Sequence, residues 1–380
     1  MKLITIVGAR PQIIKAAAFS RAISENYPEI KEIIVHTGQH YDKNMSEVFF
    51  KELGIPTPAI NLQVGSSSHG DQTAVMIQKI EEILIREKPK AVLVYGDTNS
   101  TLATAIAASK IHVPIVHIEA GLRSFNKRMP EEINRILCDH SSTLLFSPTK
   151  TGYQNLIQEG FSSRLSDNAS VDHPNIYHCG DVMYDNSLYF SSLSDQKSSI
   201  IRDLELENNN YILSTVHRND NTDKPDNLNA IFSSFITITE IHNIKLILPL
   251  HPRTSKMMDI LLRDDLKQKI KESRFISIVP PASFLDILAL EKNAKIIITD
   301  SGGLQKEAYF FKKPCVILRP QTEWVEIVET GSAVITDANE VAIIDAVNLF
   351  FSDKKLNFPP VFGDGHSAKF MAKEILKQLK

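Results

Sequence analysis

The chain has 380 residues, more than twice a common domain length of about 150, so two domains are expected. Its 42 basic and 45 acidic residues give a formal charge of −3, which leaves no electrostatic footprint for a nucleic-acid partner. Hydrophobic residues at 43% and charged residues at 23% exclude the disordered class, and no apolar run reaches the ~20 residues that cross a bilayer, so no membrane partner is expected.

The opening, Met1 to Gly8, holds a short apolar stretch that runs into Ala9-Arg10-Pro11 and reads as a buried first strand rather than a signal peptide. Further β-branched runs follow at 33–37, 91–95, 115–118, 143–146 and 175–178. A second series lies at 211–216, 244–249, 275–279, 295–299, 314–318 and 333–336, with helical patterns between the runs. This is the signature of α/β architecture, two Rossmann-like parallel sheets in tandem. The expected domains are 1–183 and 184–365, with a hinge near the polar run 181–197 and a terminal helix at 366–380 that packs back across a domain. The stretch 161–174 is a polar loop. Three widely separated cysteines, Cys138, Cys179 and Cys315, fit a reducing cytoplasm and no structural metal.

In doubly wound sheets, ligands gather outside the carboxyl ends of the strands, so the polar residues after each apolar run are the candidates. After the first come Gly8, Ala9, Arg10, Pro11, Gln12 and then Lys15. After 91–95 come Gly96, Asp97 and Thr98, and after 115–118 come Glu119, Ala120, Gly121 and Arg123. In the second series Val216 leads into His217 and Arg218, Leu250 into His251 and Arg253, and Thr299 into Asp300, Ser301, Gly302 and Gly303. Acids gather in the first half and phosphate-friendly groups in the second.

Ser301-Gly302-Gly303 precedes a helical segment, so its glycines admit a ligand to the backbone and the N–H groups of the new helix suit a diphosphate. The same residues also serve as a plain strand-to-helix connection. Glu307, one turn on, suits ribose hydroxyls. Arg10, fixed before Pro11, is either a rigid phosphate fork or half of a structural ion pair. Asp97 and Glu119, both following apolar strands, suggest paired acid–base work or, separately, helix N-termini. Met129-Pro130-Glu131-Glu132 reads as a helix start, with Glu131 spaced to pair with Arg135. There is no three-glycine dinucleotide fingerprint and no Walker lysine pattern, so NAD and ATP lose support.

Gly8-Ala9-Arg10-Pro11, Thr37-Gly38-Gln39-His40, Gly96-Asp97-Thr98, His117-Ile118-Glu119-Ala120-Gly121-Leu122-Arg123, Pro130-Glu131-Glu132-Ile133-Asn134-Arg135, His217-Arg218 and Thr299-Asp300-Ser301-Gly302-Gly303-Leu304-Gln305-Lys306-Glu307 together resemble the bacterial non-hydrolysing UDP-N-acetylglucosamine 2-epimerases, in order along essentially the whole chain. The resemblance implies a GT-B-like fold, two Rossmann-like domains facing across a cleft, a homodimer, a UDP-sugar substrate and no cofactor. It assigns acid–base work to Asp97, Glu119 and Glu131 and assistance at the nucleotide phosphate to His217. It assigns UDP contacts to Arg10, Ser301, Gly302, Gly303 and Glu307. Lys15, Arg123, Arg218, His251 and Arg253 fall near the same cleft, and Gln39 and His40 match a second, allosteric sugar-nucleotide site.

The implied reaction converts UDP-GlcNAc to UDP-ManNAc by elimination of UDP to a 2-acetamidoglucal and re-addition. Ala9 and Gln12 stand where the common opening has Thr and Glu, and Thr322-Glu323-Trp324-Val325-Glu326 stands where many members carry arginine and proline. Both variants are more similar to the branch that epimerises UDP-2,3-diacetamido-2,3-dideoxyglucuronic acid, which makes that sugar the alternative substrate. A GT-B glycosyltransferase is the alternative of another class; it would need an acceptor.

Overall fold

The computed structural model describes residues 1–38, 56–352 and 355–379. Gln39 and His40 lie outside the described residues. Two compact units divide the chain: Met1–Asn186 with Pro360–Lys380, and Ser187–Pro359.

The first unit runs β1 (Lys2–Val7), α1 (Arg10–Asn26), β2 (Lys31–His36), β3 (Ile60–Asn61), α2 (His69–Glu87), β4 (Ala91–Tyr95), α3 (Asn99–Lys110), β5 (Ile115–Ile118), α4 (Pro130–Asp139), β6 (Leu144–Ser147), α5 (Lys150–Gln158) and β7 (Asn175–His178). Its strands lie in the order β3-β2-β1-β4-β5-β6-β7, all pairs parallel. A parallel sheet is covered on both faces, so its strands carry runs such as Ala91-Val92-Leu93-Val94-Tyr95 with every side chain buried. Met76, Ile80, Ile83 and Leu84 of α2 and the alanines of α3 cover one face, packed against Ile4, Ile6, Val92 and Val94. Each fully buried Ile or Leu there contributes roughly 1.5–3 kcal/mol.

The polar run at 181–197 forms helix α6 (Val182–Lys197), and the boundary between the units falls inside it. Its buried positions, Val182, Asn186, Ser187, Phe190, Ser191 and Ser194, keep helical spacing but are mostly polar, so an apolar pattern does not show them.

The second unit continues with α7 (Ile200–Asp203), β8 (Tyr211–Thr215), α8 (Asn219–Thr222), α9 (Pro225–His242), β9 (Lys245–Pro249), α10 (Pro252–Leu261), α11 (Asp264–Glu272), β10 (Ile276–Val279), α12 (Phe284–Asn293), β11 (Ile296–Thr299), α13 (Gly302–Phe310), β12 (Cys315–Ile317), α14 (Val325–Glu329), β13 (Ala333–Ile335) and α15 (Glu340–Phe351). Its sheet order is β10-β9-β8-β11-β12-β13, again parallel. The closing helix α16 (Ser367–Gln378) returns to the first unit, where it packs on α1 and donates two hydrogen bonds at its start: the backbone N–H groups of Ser367 and Ala368 donate to the Asp185 carboxylate at 3.1 and 2.8 Å.

All twelve expected strands form, within two residues at each end; the two-residue β3 is too short to carry a period and was not expected. In each sheet the strand order reverses once, between β1 and β4 and between β8 and β11. Those reversals open the crevices in which doubly wound sheets take ligands.

Candidate active site

At the first reversal, the turn after β1 meets the turn after β4. Gly8 is required there, because a Cβ would sit 2.0 Å from Ser100 Oγ and 2.4 Å from Thr37 Oγ1. Gln12 braces the two turns: its Oε1 accepts the Gly8 and Ala9 N–H groups at 2.8 and 3.2 Å, and its Nε2 donates to the Tyr95 carbonyl at 2.6 Å and to Thr98 Oγ1 at 3.0 Å. Arg10, the first residue of α1, is exposed.

One turn further along α1, Lys15 Nζ pairs with Glu119 Oε2, both side chains being nearly nine-tenths buried. Glu119 holds a left-handed backbone, φ +77°, a conformation that costs a non-glycine residue about 1–2 kcal/mol. Stored strain at a polar strand tip is a feature of functional sites.

Asp97 is anchored from α4. Arg135 pairs with its carboxylate, and Asn134 Nδ2 donates to its carbonyl at 2.8 Å. Arg135 also reaches Glu132 at 3.3 Å, so the partners of Arg135 are Asp97 and Glu132 rather than Glu131. Glu132 is buried and accepts the N–H groups of Ser124 and Phe125 at 2.8 and 3.0 Å; burial works against its charge, but these donors hold its pKa below the ordinary carboxylate value. Glu131 is exposed. Consecutive helix residues point about 100° apart, which turns Glu132 inward and Glu131 outward.

Arg123 is committed within the unit, its Nε and Nη2 donating to Glu159 at 2.7 Å each and its Nη1 lying 2.7 Å from Asp139. A separate surface pocket of about 660 Å³, lined by His140, Glu159, Phe161, Arg164 and His173 among others, contains none of the residues singled out in the sequence.

At the second reversal Asp300 is the hub. Fully buried, it accepts the backbone N–H groups of His217 and Arg218, each at 3.0 Å, and Asn221 Nδ2 at 3.1 Å. His217 Nδ1 lies 3.2 Å from the same carboxylate, while almost half of its side chain stays open to solvent. Ser301 caps α13, accepting the Leu304 N–H at 3.5 Å, and Gly302 and Gly303 form its first turn. Two guanidinium groups flank that turn. Arg218 Nε donates to the Asp300 carbonyl at 3.0 Å, and Arg319 Nη1 lies 3.6 Å from where a Gly302 Cβ would stand, paired with Glu323 at 2.8 Å. Helix N–H groups, a serine and two arginines are an arrangement whose chemistry suits an anion.

Glu307, on the same helix, is buried. Behind it, burial and the Glu307 charge lift the pKa of Glu291 well above the ordinary carboxylate value. His251 caps α10 by accepting the Arg253 N–H at 3.3 Å, and the Arg253 guanidinium pairs with Asp223 at 2.6 Å, so the partners of these two residues are each other and Asp223 rather than Ser301. Gln12 and Asp300 stand among the strand-end residues of the sequence without a role of their own, and Arg319 is not among them. The acid following the β11 run was the available signal for Asp300.

Among the described residues, no helix is long and apolar enough to cross a membrane. A family model described as UDP-N-acetylglucosamine 2-epimerase matches residues 22–376. A Methanococcus maripaludis protein named as a UDP-N-acetylglucosamine 2-epimerase homolog is 48% identical over the full length of both chains. The UDP-2,3-diacetamido-2,3-dideoxy-D-glucuronate 2-epimerase of Pseudomonas aeruginosa is 44% identical, covering 99% of this chain and 100% of its own. The solved structure of the Methanocaldococcus jannaschii UDP-GlcNAc 2-epimerase in complex with UDP-GlcNAc and UDP superposes with a TM-score of 0.81 at 39% identity, covering 99% of both chains.

Proposed function

The chain belongs to the UDP-N-acetylglucosamine 2-epimerase family, a family of isomerases, and on that premise we propose that it inverts C2 of UDP-GlcNAc to give UDP-ManNAc. The observation that carries the reading is the anion site at the start of α13, where Ser301, Gly302 and Gly303 are flanked by Arg218 and Arg319. A diphosphate suits it, with Glu307 one turn on for the ribose and His217 beside the phosphates. Arg10 supplies a further cation.

The sugar's C2 hydrogen is not next to a carbonyl, so direct deprotonation is too costly. As the C1–O bond to UDP breaks, positive charge grows at C1 and acidifies C2–H. A carboxylate takes that proton, the C1=C2 bond forms, and UDP leaves with the electron pair of the C1–O bond. Re-addition then forms the C1–O bond again while a proton reaches C2 from the opposite face. Two acid–base groups are needed. Asp97 and Glu119 are the pair we assign, each aligned by a cation, with Glu131 as the third carboxylate. Stabilising the charge on departing UDP is worth on the order of 3 kcal/mol per donor.

A second substrate is favoured by the 44% identity to the diacetamido-glucuronate epimerase and by Trp324, whose Nε1 donates to the Gly302 carbonyl at 3.0 Å. Proton NMR of the purified protein in deuterated water, with each UDP-sugar in turn, tests both. C2 inversion with deuterium at C2 identifies the substrate. Inertness of both sugars without an acceptor would instead favour a glycosyltransferase.

The reading includes a homodimer. Met129, Ile133 and Leu137 form an exposed apolar stripe along α4, continued by Phe125, and a second copy would cover it. A solution mass of one chain would overturn that part. Cysteines that form no disulfide support a cytoplasmic enzyme.

A further inference from the structure

His117 lies in β5 with its side chain fully buried, and the chemistry proposed above gives it no part. Both ring nitrogens face oxygen acceptors: Nδ1 lies 2.6 Å from Asp139 Oδ1, and Nε2 lies 2.8 Å from the Gly96 carbonyl. The second Asp139 oxygen accepts the Gly121 N–H at 3.1 Å and lies 2.7 Å from Arg123 Nη1, which marks the carboxylate as ionised. A neutral imidazole has one N–H and satisfies only one such acceptor, so a ring that donates to both carries two protons. Burial opposes that charge; the Cys138 sulfur and the Asp139 carboxylate favour it, and together they lift the imidazole pKa well above its ordinary value.

The acceptors belong to the two turns that carry the proposed acids. The Gly96 peptide is tied to β5 twice, its N–H donating to the Ile118 carbonyl at 3.0 Å and its carbonyl accepting from His117, and Asp97 is the next residue. Asp139 holds the other turn through Gly121, two residues beyond Glu119. Neither turn is held by regular dihedrals, since Gly96, Glu119 and Gly121 all have positive φ, at +61°, +77° and +79°.

We propose that His117 is a positioning residue, a buried imidazolium that clamps the Gly96 carbonyl and the Asp139 carboxylate and thereby fixes the Asp97 and Glu119 turns against each other. The proposal rests on the acid–base roles given to those two residues. Small displacements of reacting groups cost about a hundredfold in rate, so the clamp acts on turnover rather than on the nucleotide, whose proposed contacts lie mainly in the other unit.

The test uses the full-length protein with His117→Gln and His117→Asn. In the wild type, nitrogen NMR at pH 8 should find both ring nitrogens of His117 protonated. In both variants, amide exchange at Gly96, Asp97 and Gly121 should rise about tenfold or more. The kcat should fall about thirty- to a hundredfold with KM and UDP affinity within about threefold. Glutamine, whose amide reaches the Nε2 position, should retain more activity than asparagine. A singly protonated wild-type ring, or folded variants with unchanged exchange, would overturn the clamp. Lower thermal stability with unchanged kcat would also overturn it, reducing His117 to a structural role. If the wild type epimerises neither sugar, the functional reading falls, while faster exchange in the variants still supports the clamp.

Discussion

Asp300 accepts the backbone N–H of His217 at 3.0 Å, so the residue that follows β11 holds the turn that follows β8. The same carboxylate takes the Arg218 N–H and the Asn221 amide. Asp300→Ala leaves three donors without this acceptor in a fully buried site. We expect a loss of about 2–4 kcal/mol in chemical denaturation and at least a tenfold loss of UDP affinity by calorimetry. Asp300→Asn keeps one acceptor oxygen and should lose less. An alanine variant that binds UDP like the wild type would show that the turn after β8 does not contribute.

Asp97→Asn and Glu119→Gln keep shape and remove the proposed proton acceptor. Each should lower kcat about a hundredfold or more, with UDP affinity within about threefold. Deuterium uptake at C2, followed by NMR, should fall in step with turnover. Near wild-type turnover in either variant would remove that residue from the acid–base pair.

Gly302→Ala separates an anion site from a plain connection. The nearest atom to the added Cβ is Arg319 Nη1 at 3.6 Å, an ordinary contact, so the melting temperature should hold or rise slightly. A methyl group at the helix entrance blocks a phosphate that approaches the backbone, and UDP affinity should drop about tenfold or more. Unchanged affinity would argue that the diphosphate lies elsewhere.

Burial, reinforced by the Asp181 charge, raises the Asp185 pKa from 3.8 to about 6 despite the two N–H donors of α16. A shift of about two units corresponds to roughly 3 kcal/mol. The folded pKa lies above the unfolded one, so the folded state holds the proton more tightly. Its stabilising contribution is complete below pH 3.8 and is lost as pH rises through about 6. The wild-type melting temperature should therefore fall between about pH 4 and 6, relative to Asp185→Asn, whose amide does not titrate. Parallel melting curves across that window, followed by circular dichroism, would contradict this.

The sheets were legible because parallel strands buried on both faces read as uninterrupted apolar runs, as at Ala91–Tyr95. The strand-tip rule then led to Asp97, Glu119, His217 and Ser301 without knowledge of strand order. What stayed hidden depends on that order. Gln12 matters because β4 lies beside β1, and Asp300 because β11 lies beside β8, neighbours far apart in the chain. Helix α6 was illegible for another reason: it buries serines and an asparagine, which no hydrophobic period reports. Between Glu131 and Glu132, adjacent carboxylates at a helix start, sequence alone offers no sign of which turns inward.

The return of α16 to the first unit also sets a timetable. During synthesis, residues 187–359 emerge from the ribosome before the helix that packs on α1 and takes Asp185 at its start. The amino-terminal unit is therefore completed last, and a ribosome that stalls or terminates before residue 367 leaves a newborn chain with an uncovered α1 and a buried acid lacking its donors. Such truncated products should be substrates for chaperones and proteases even though the second unit is whole.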